Sequence, residues 1–536
     1  MKQIRLIAIL FAAALIATWA EPAPSTSPAA PMTAESPPSP ATQQTKRVNI
    51  VFILADDLDS ASIQYMPKLK SLIADQGVTF TNYFVSMSLC CPSRATTLRG
   101  QYAHSTKILG NDPPDGGFEK FHDLGEEKST IAVWLQNIGY RTMLAGKYLN
   151  GYPQFGGMTY VPPGWNEWYV KVGGRADQEF DYSLNENGKR VAYGDKPKNY
   201  GTDVYVRKTA DFIRRSAAAG KPFFVYLAPH APHAPSTPAP RHEKLFLDRH
   251  APRTPNFNET DVSDKPRYIR RRPPLTQQQI TSIDHHYRMR LQSLQAVDEG
   301  IEVLVNMLKF TGQLDNTYIF FTSDNGYHMG NHRLLGGKTA PYDEEFRVTM
   351  IVRGPGVPVG KTIDHLTGNV DLAPTWAELA GAKAADFVDG RSLVPLMREN
   401  PPAPNHWRQA FLIENGRYQA PPARATVTPA PNTPTDLLEP PDQDDLLMAI
   451  LPFLQRSTLG VPAFRGFRTR TQSYVEYITG EKELYDLKSD PYQLQNLASQ
   501  AAPALMAQYS ARLKALMACK ASACRTIEET PFNPSK

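Results

Sequence analysis

Cys90 and Cys91 stand side by side at the head of the run Cys-Cys-Pro-Ser-Arg-Ala-Thr-Thr-Leu-Arg-Gly, which closes at Gly100. Pro92 is suited to opening a helix, Ser93 can hydrogen-bond local backbone, and Arg94 falls one turn beyond Cys90. A helix start attracts anions, so this corner, read as an exposed turn leading into a helix, suits an oxyanion ester. Adjacent cysteines rarely reach disulfide geometry, which leaves the pair for chemistry. The plainer alternative is a buried or disulfide-linked cysteine in an ordinary turn.

Two further pairs, Asp56-Asp57 and Asp324-Asn325, supply hard oxygen donors. Adjacent acids repel unless a cation sits between them. Three carboxylates and an amide, with no thiolate and imidazole set at ligand spacing, suit Ca2+ or Mg2+ better than a soft metal. Each pair taken alone also reads as a solvated turn after a strand.

Strands must deliver these groups. Arg47–Ala55 (RVNIVFILA) is apolar almost without a break, the pattern of a central strand buried on both faces. Its carboxyl end carries Asp56 and Asp57 to the sheet edge where α/β enzymes place their sites. Tyr318–Ser323 does the same for Asp324 and Asn325, Phe223–Ala228 for His230 and His233, and Tyr140–Ala145 for Lys147. Helices are expected over Ser129–Ile138, Thr202–Ala219 and Thr276–Leu308. This alternation, with polar residues at the strand ends, is doubly wound α/β. Residues 236–275, rich in Pro and Arg, read as a long surface excursion. Beyond a boundary near residue 397, Phe464–Thr471, Gln472–Ile478 and Glu483–Leu487 form an antiparallel meander, followed by a helix over Ala502–Met517.

A length of 536 residues accommodates a large domain with a smaller partner, and 41% hydrophobic with 21% charged residues is the make-up of a folded protein. The net charge of +5 is spread along the chain and gives no argument for nucleic acid. Lys2 and Arg5 precede the apolar run Leu6–Ile16 and small residues at Ala17 and Ala20, which describes an export signal over 1–20 rather than a spanning helix. A retained N-terminal anchor is the alternative; no other stretch is apolar enough for stable membrane insertion. Residues 21–45, mostly Pro, Ala and Ser, form a tether. In an oxidising compartment Cys519 and Cys524 are candidates for a small terminal disulfide. A Pro-rich insertion spans 417–441, with a short helix candidate at Asp445–Leu454.

Taken residue by residue, Cys90-x-Pro92-Ser93-Arg94 followed by a small-residue helix resembles the signature of the type I sulfatases. The resemblance covers most of residues 46–516, including Val161–Trp168, Tyr182–Gly188 and Glu483–Leu487. It implies an alkaline phosphatase-like doubly wound mixed sheet over 46–397, a smaller antiparallel-sheet subdomain over 398–518, and a tail over 519–536. It implies that Cys90 becomes formylglycine through a formylglycine-generating enzyme. It assigns one Ca2+ to Asp56, Asp57, Asp324 and Asn325, with the oxygen formed from Cys90 completing the shell. Around the ester it places Arg94, Lys147, His233 and Lys338; outside the resemblance, Lys147 and Lys338 read as solvated charges. His230 ranks below His233.

Many of these enzymes carry His two residues after the position of Lys147, where this chain has Leu149. The Gly-Lys-Tyr-Leu-Asn version looks like the branch of N-acetylglucosamine-6-sulfatases and heparan endosulfatases, and His328 is nominated for the missing role. The expectation is a periplasmic or secreted hydrolase of sulfate esters of sugars. The alternatives are a phosphonate or phosphate monoester hydrolase of the same superfamily and a catalytically inactive glycan-binding homologue.

Overall fold

The computed structural model describes residue 20 and residues 47–153, 157–173, 179–416 and 460–532. The insertion at 417–441, the helix candidate at Asp445–Leu454, the tether at 21–45 and all but the last residue of the signal lie outside the described residues.

An 11-stranded sheet organises the rest. In chain order its strands are β1 (Asn49–Ala55), β2 (Val78–Phe84), β3 (Arg141–Gly146), β4 (Glu167–Gly173), β5 (Tyr182–Glu186), β6 (Lys189–Tyr193), β7 (Phe223–Ala228), β8 (Thr317–Ser323), β9 (Arg347–Arg353), β10 (Lys361–Ile363) and β11 (Thr367–Gly368). The spatial order is β10-β2-β9-β8-β1-β7-β3-β4-β5-β6, with β11 beside β2. The central strands β8, β1, β7, β3 and β4 run parallel, whereas β9, β5 and β6 pair antiparallel with their neighbours.

Unbroken hydrophobicity in β1 has its cause in two cores. Ile50, Phe52 and Leu54 enter one with Ala95, Leu98, Leu135 and Trp376. Val51, Ile53 and Ala55 enter the other with Val225, Leu294, Val297 and Ile301. Each such side chain contributes roughly 1.5–3 kcal/mol when withdrawn from water. The second core is covered by helices Gly201–Ala218 and Gln277–Phe310. The longer of these opens with a capping box in which Thr276 accepts from Gln279 N–H and Gln279 answers at Thr276 N–H.

A second, 4-stranded antiparallel sheet follows the order β12 (Phe411–Asn415), β13 (Phe464–Arg468), β14 (Gln472–Tyr477) and β15 (Lys482–Asp486). The three expected strands are there; β12, from before the insertion, is an addition. Helix Pro503–Ala518 packs Tyr509 against Phe467 and Tyr474, and Cys519 is bonded to Cys524. Two expectations change. Residues 236–275 are mostly irregular, but they are no loose excursion: Asn256, Lys265 and Ile269 are wholly buried. The Cys90 corner is not exposed, because the helix begins at Cys90 itself and all ten residues of Cys90–Arg99 are buried.

Candidate active site

The sheet register brings the acids together. Ala55 pairs with Ser323, so Asp56 and Asp324 leave their strands side by side. Asp324 N–H donates to Ala55 O (3.1 Å), and Asp57 N–H donates to Asp324 Oδ1 (3.1 Å). Asp57 turns in the left-handed region (φ 63°), which Asp tolerates better than most residues. Asn325 Nδ2 donates to Asp57 Oδ1 (2.7 Å).

Neighbouring strand ends bring the cations and imidazoles. After β7, Asp56 N–H donates to Ala231 O (3.3 Å), which docks the His230–His233 loop beside β1. His233 Nε2 lies 3.7 Å from Asp57 Oδ2. At the end of β3, Gly146 (φ 111°) passes so close to β7 that a Cβ would fall 1.9 Å from Ala228 O. Only glycine allows that approach, and it places Lys147 Nζ 2.8 Å from Asp56 Oδ2. Lys338 Nζ donates to Asp57 Oδ1 (2.7 Å) and lies 3.0 Å from Cys90 Sγ.

Cys90 therefore heads a helix whose first turn points into this cluster. Its Sγ is 3.5 Å from Asp56 Oδ1 and 4.0 Å from Asp57 Oδ1. Arg94, one turn on and 1% exposed, reaches Asp324 Oδ2 with both Nε and Nη2 at 2.8 Å and donates to Lys147 O at 3.0 Å. Ser93 bonds Asp324 O rather than its own backbone.

Three carboxylates (Asp56, Asp57, Asp324) thus face three fixed cations (Arg94, Lys147, Lys338). Burial pushes Asp56 up, but Lys147, His233, Arg94 and Lys338 outweigh it and hold the group well below the usual carboxylate range. Burial and the charge of Asp56 carry Asp324 the other way, to about 6, against Arg94. Burial and Asp56 raise the Cys90 thiol well above its ordinary value despite Lys147 and Lys338. A thiol so held is protonated and a poor nucleophile.

The donor set fits a hard divalent cation. Ligand atoms of Asp56, Asp57, Cys90 and His233 all lie within 4.8 Å of one another. Asn325 Oδ1 is buried without a hydrogen-bond partner, as an amide oxygen reserved for a cation would be. A 2+ ion added to a charge-balanced cluster leaves a net positive seat for an anion.

Of the ten candidate residues, His328 stands apart. Its Nδ1 is 2.6 Å from Glu345 Oε1, and no described contact joins its side chain to Cys90 or to the metal-type acids. Two residues escaped the sequence reading. Arg290, wholly buried, donates to Asp57 O, to Asp59 Oδ2 (3.2 Å) and to Pro232 O (3.4 Å), tying the acid turn to the His loop. The signal was available: Arg290 precedes Leu294, Val297 and Ile301 on the apolar stripe of its helix, where a charge needs a reason. Glu345 receives both His328 and Ala340 N–H, and nothing local in its sequence marks it.

A family model described as Sulfatase matches residues 48–382. The chain is 35% identical over 492 residues to N-acetylglucosamine-6-sulfatase of Homo sapiens, covering 90% of this chain and 86% of that protein. It is 35% identical over 376 residues to the extracellular sulfatase SULF-1 homolog of Drosophila melanogaster, covering 69% of this chain and 33% of that protein. Among solved structures, BT4656 in complex with its substrate D-glucosamine-2-N,6-O-disulfate superposes with a TM-score of 0.68 at 24% identity, over 88% of this chain and 97% of that one.

Proposed function

The chain belongs to the sulfatase family and is a sulfuric ester hydrolase; from that premise we propose that it is exported, acts on sulfate esters of sugars, and works through formylglycine at position 90 beside one Ca2+. The observation that carries the reading is the meeting of the parallel strand ends of β1, β8, β7 and β3 around one helix start. Supporting the sugar as substrate are the relatives named above. Supporting export are the charged, apolar and small-residue order of Met1–Ala20 and the disulfide. Among the described residues no helix is long and apolar enough to cross a membrane.

Asp56, Asp57, Asp324 and Asn325 would hold the cation, which would supply positive charge at the ester. Formylglycine, once made from Cys90, supplies the nucleophilic hydroxyl that a buried neutral thiol cannot. The chain's own groups do the remaining work. Lys147 and Lys338 offer ammonium donors to the sulfate oxygens, which keep their charge as the S–O bond breaks. Arg94 holds Asp324 in place through one hydrogen bond and an ion pair, and braces the Lys147 backbone through a second hydrogen bond. His233 or Lys338 gives a proton to the departing alcohol oxygen.

Turnover of 4-nitrophenyl sulfate against 4-nitrophenyl phosphate tests the reaction class: sulfate hydrolysis should lead by orders of magnitude. A phosphate preference would transfer the assignment to phosphate ester chemistry.

A further inference from the structure

Beside the Cys90 cluster lies a small cavity of about 30 Å3 between the ends of β3, β4 and β7. Lys147, Asn150, Lys171 and His230 give it polar walls, and Leu149 and Tyr152 close it. All four polar residues are nearly buried, at 3–6% exposure. His230 Nδ1 has no hydrogen-bond partner there. Because ~10–15 Å3 accommodates one water, the space takes the two or three terminal oxygens of one small group. That is a substituent and not a sugar ring.

We propose that this cavity is a second anion subsite: it receives a sulfo or carboxylate group that the substrate carries near the ester facing Cys90, and Lys171 and His230 are the residues that read it. The inference rests on the sulfated-sugar reading and narrows it to substrates with two neighbouring anionic groups. Lys147 belongs to both sites, so a group entering the cavity is bonded to the same small molecule whose sulfur sits at Cys90. The cavity's own field favours an anion. After burial, the strongest influences depressing the basicity of His230 are the charges of Lys171 and Lys147, and Asp56 opposes them more weakly. The two ammonium charges that repel a proton on His230 attract an anion. A neutral imidazole also keeps an N–H to donate, as an anion requires.

The test uses the full-length protein with three probes: glucosamine 6-O-sulfate bearing N-acetyl, the same ester bearing N-sulfo, and a disaccharide that joins the N-acetyl ester to a uronate. Wild type should favour at least one anionic probe over the neutral one by at least about tenfold in kcat/KM, the scale of a charge-assisted contact. Lys171→Met and, separately, His230→Gln should bring that ratio back towards unity. Calorimetry with the desulfated products should show the same discrimination in Kd, without turnover. Equal use of all three probes by wild type, or a ratio that survives in Lys171→Met, would overturn the subsite while leaving a sulfatase. Product binding that discriminates in a protein with no sulfatase activity would do the reverse.

Discussion

Replacing Arg94 with Met is the sharpest perturbation of the cluster's electrostatics. The methionine keeps much of the buried volume and removes the charge. Arg94 is 1% exposed, donates one hydrogen bond from Nε to Asp324 Oδ2 (2.8 Å) and another to Lys147 O (3.0 Å), and holds Nη2 2.8 Å from the same carboxylate oxygen as an ion pair. Without it, three buried carboxylates face two lysines. Breaking a buried ion pair from one side costs about 3–5 kcal/mol, because the remaining charge has lost its compensation. Arg94→Lys restores the charge but not the planar fork, and loses about 1–3 kcal/mol. The assay is equilibrium unfolding in urea at pH 7 in chelator, reading near-UV circular dichroism, with the unchanged slope checked between variants. The order wild type, Arg94→Lys, Arg94→Met is expected. A loss below about 1 kcal/mol in Arg94→Met would mean that Asp324 does not depend on this cation, and the charge-balance argument would fail.

Other outcomes follow from the same geometry. His104, with its side chain 15% exposed, lies 3.1 Å from Glu414 on β12 and 2.9 Å from Cys519 O. Burial lowers its basicity, but Glu414 and the carbonyl outweigh that and raise it to about 9. Because the folded value exceeds the unfolded one near 6.5, this contact's stability is complete below about pH 6.5 and lost as pH rises through about 9, on the order of 3 kcal/mol. His104→Gln should therefore unfold more easily than wild type at pH 6, with the gap closing towards pH 10; a constant gap would refute the linkage. Ca2+ at about 100 times its Kd should add about 2.7 kcal/mol to the unfolding free energy, and Asn325→Leu should lose most of that gain. An undiminished gain would exclude Asn325 as a ligand. His328→Ala removes an imidazole held by Glu345 and should lower kcat by less than about tenfold; a loss of 10²–10⁴, the size of general acid–base catalysis, would return His328 to the proton-moving groups.

Much of the frame was legible because its signals are local. Strands β1, β7 and β8 are buried on both faces, so their sequences are mostly apolar and end where polar chemistry begins. The fold is the alkaline phosphatase-like mixed sheet with a small antiparallel sheet, as the motifs implied. The helix at Cys90 misled for the opposite reason. Its buried Ser93, Arg94 and Arg99 look like surface residues, but their partners lie on distant segments: Asp324 for Ser93 and Arg94, and Glu126 and Ser129 carbonyls for Arg99. Exposure read from composition fails wherever polar groups are buried in pairs. β12 was missed because its five residues pair only with β13, across the insertion. His328 is nominated from the Asp324–His328 segment for the role left open at Leu149; Glu345, which pairs with its ring, lies in the separate helical turn Asp343–Phe346.

The most direct measurement is the mass of the Cys90 tryptic peptide from the active enzyme. The account predicts the aldehyde, or its hydrate, in a fraction of molecules that rises in proportion to specific activity. A fully active enzyme carrying an unmodified thiol at position 90 would contradict it.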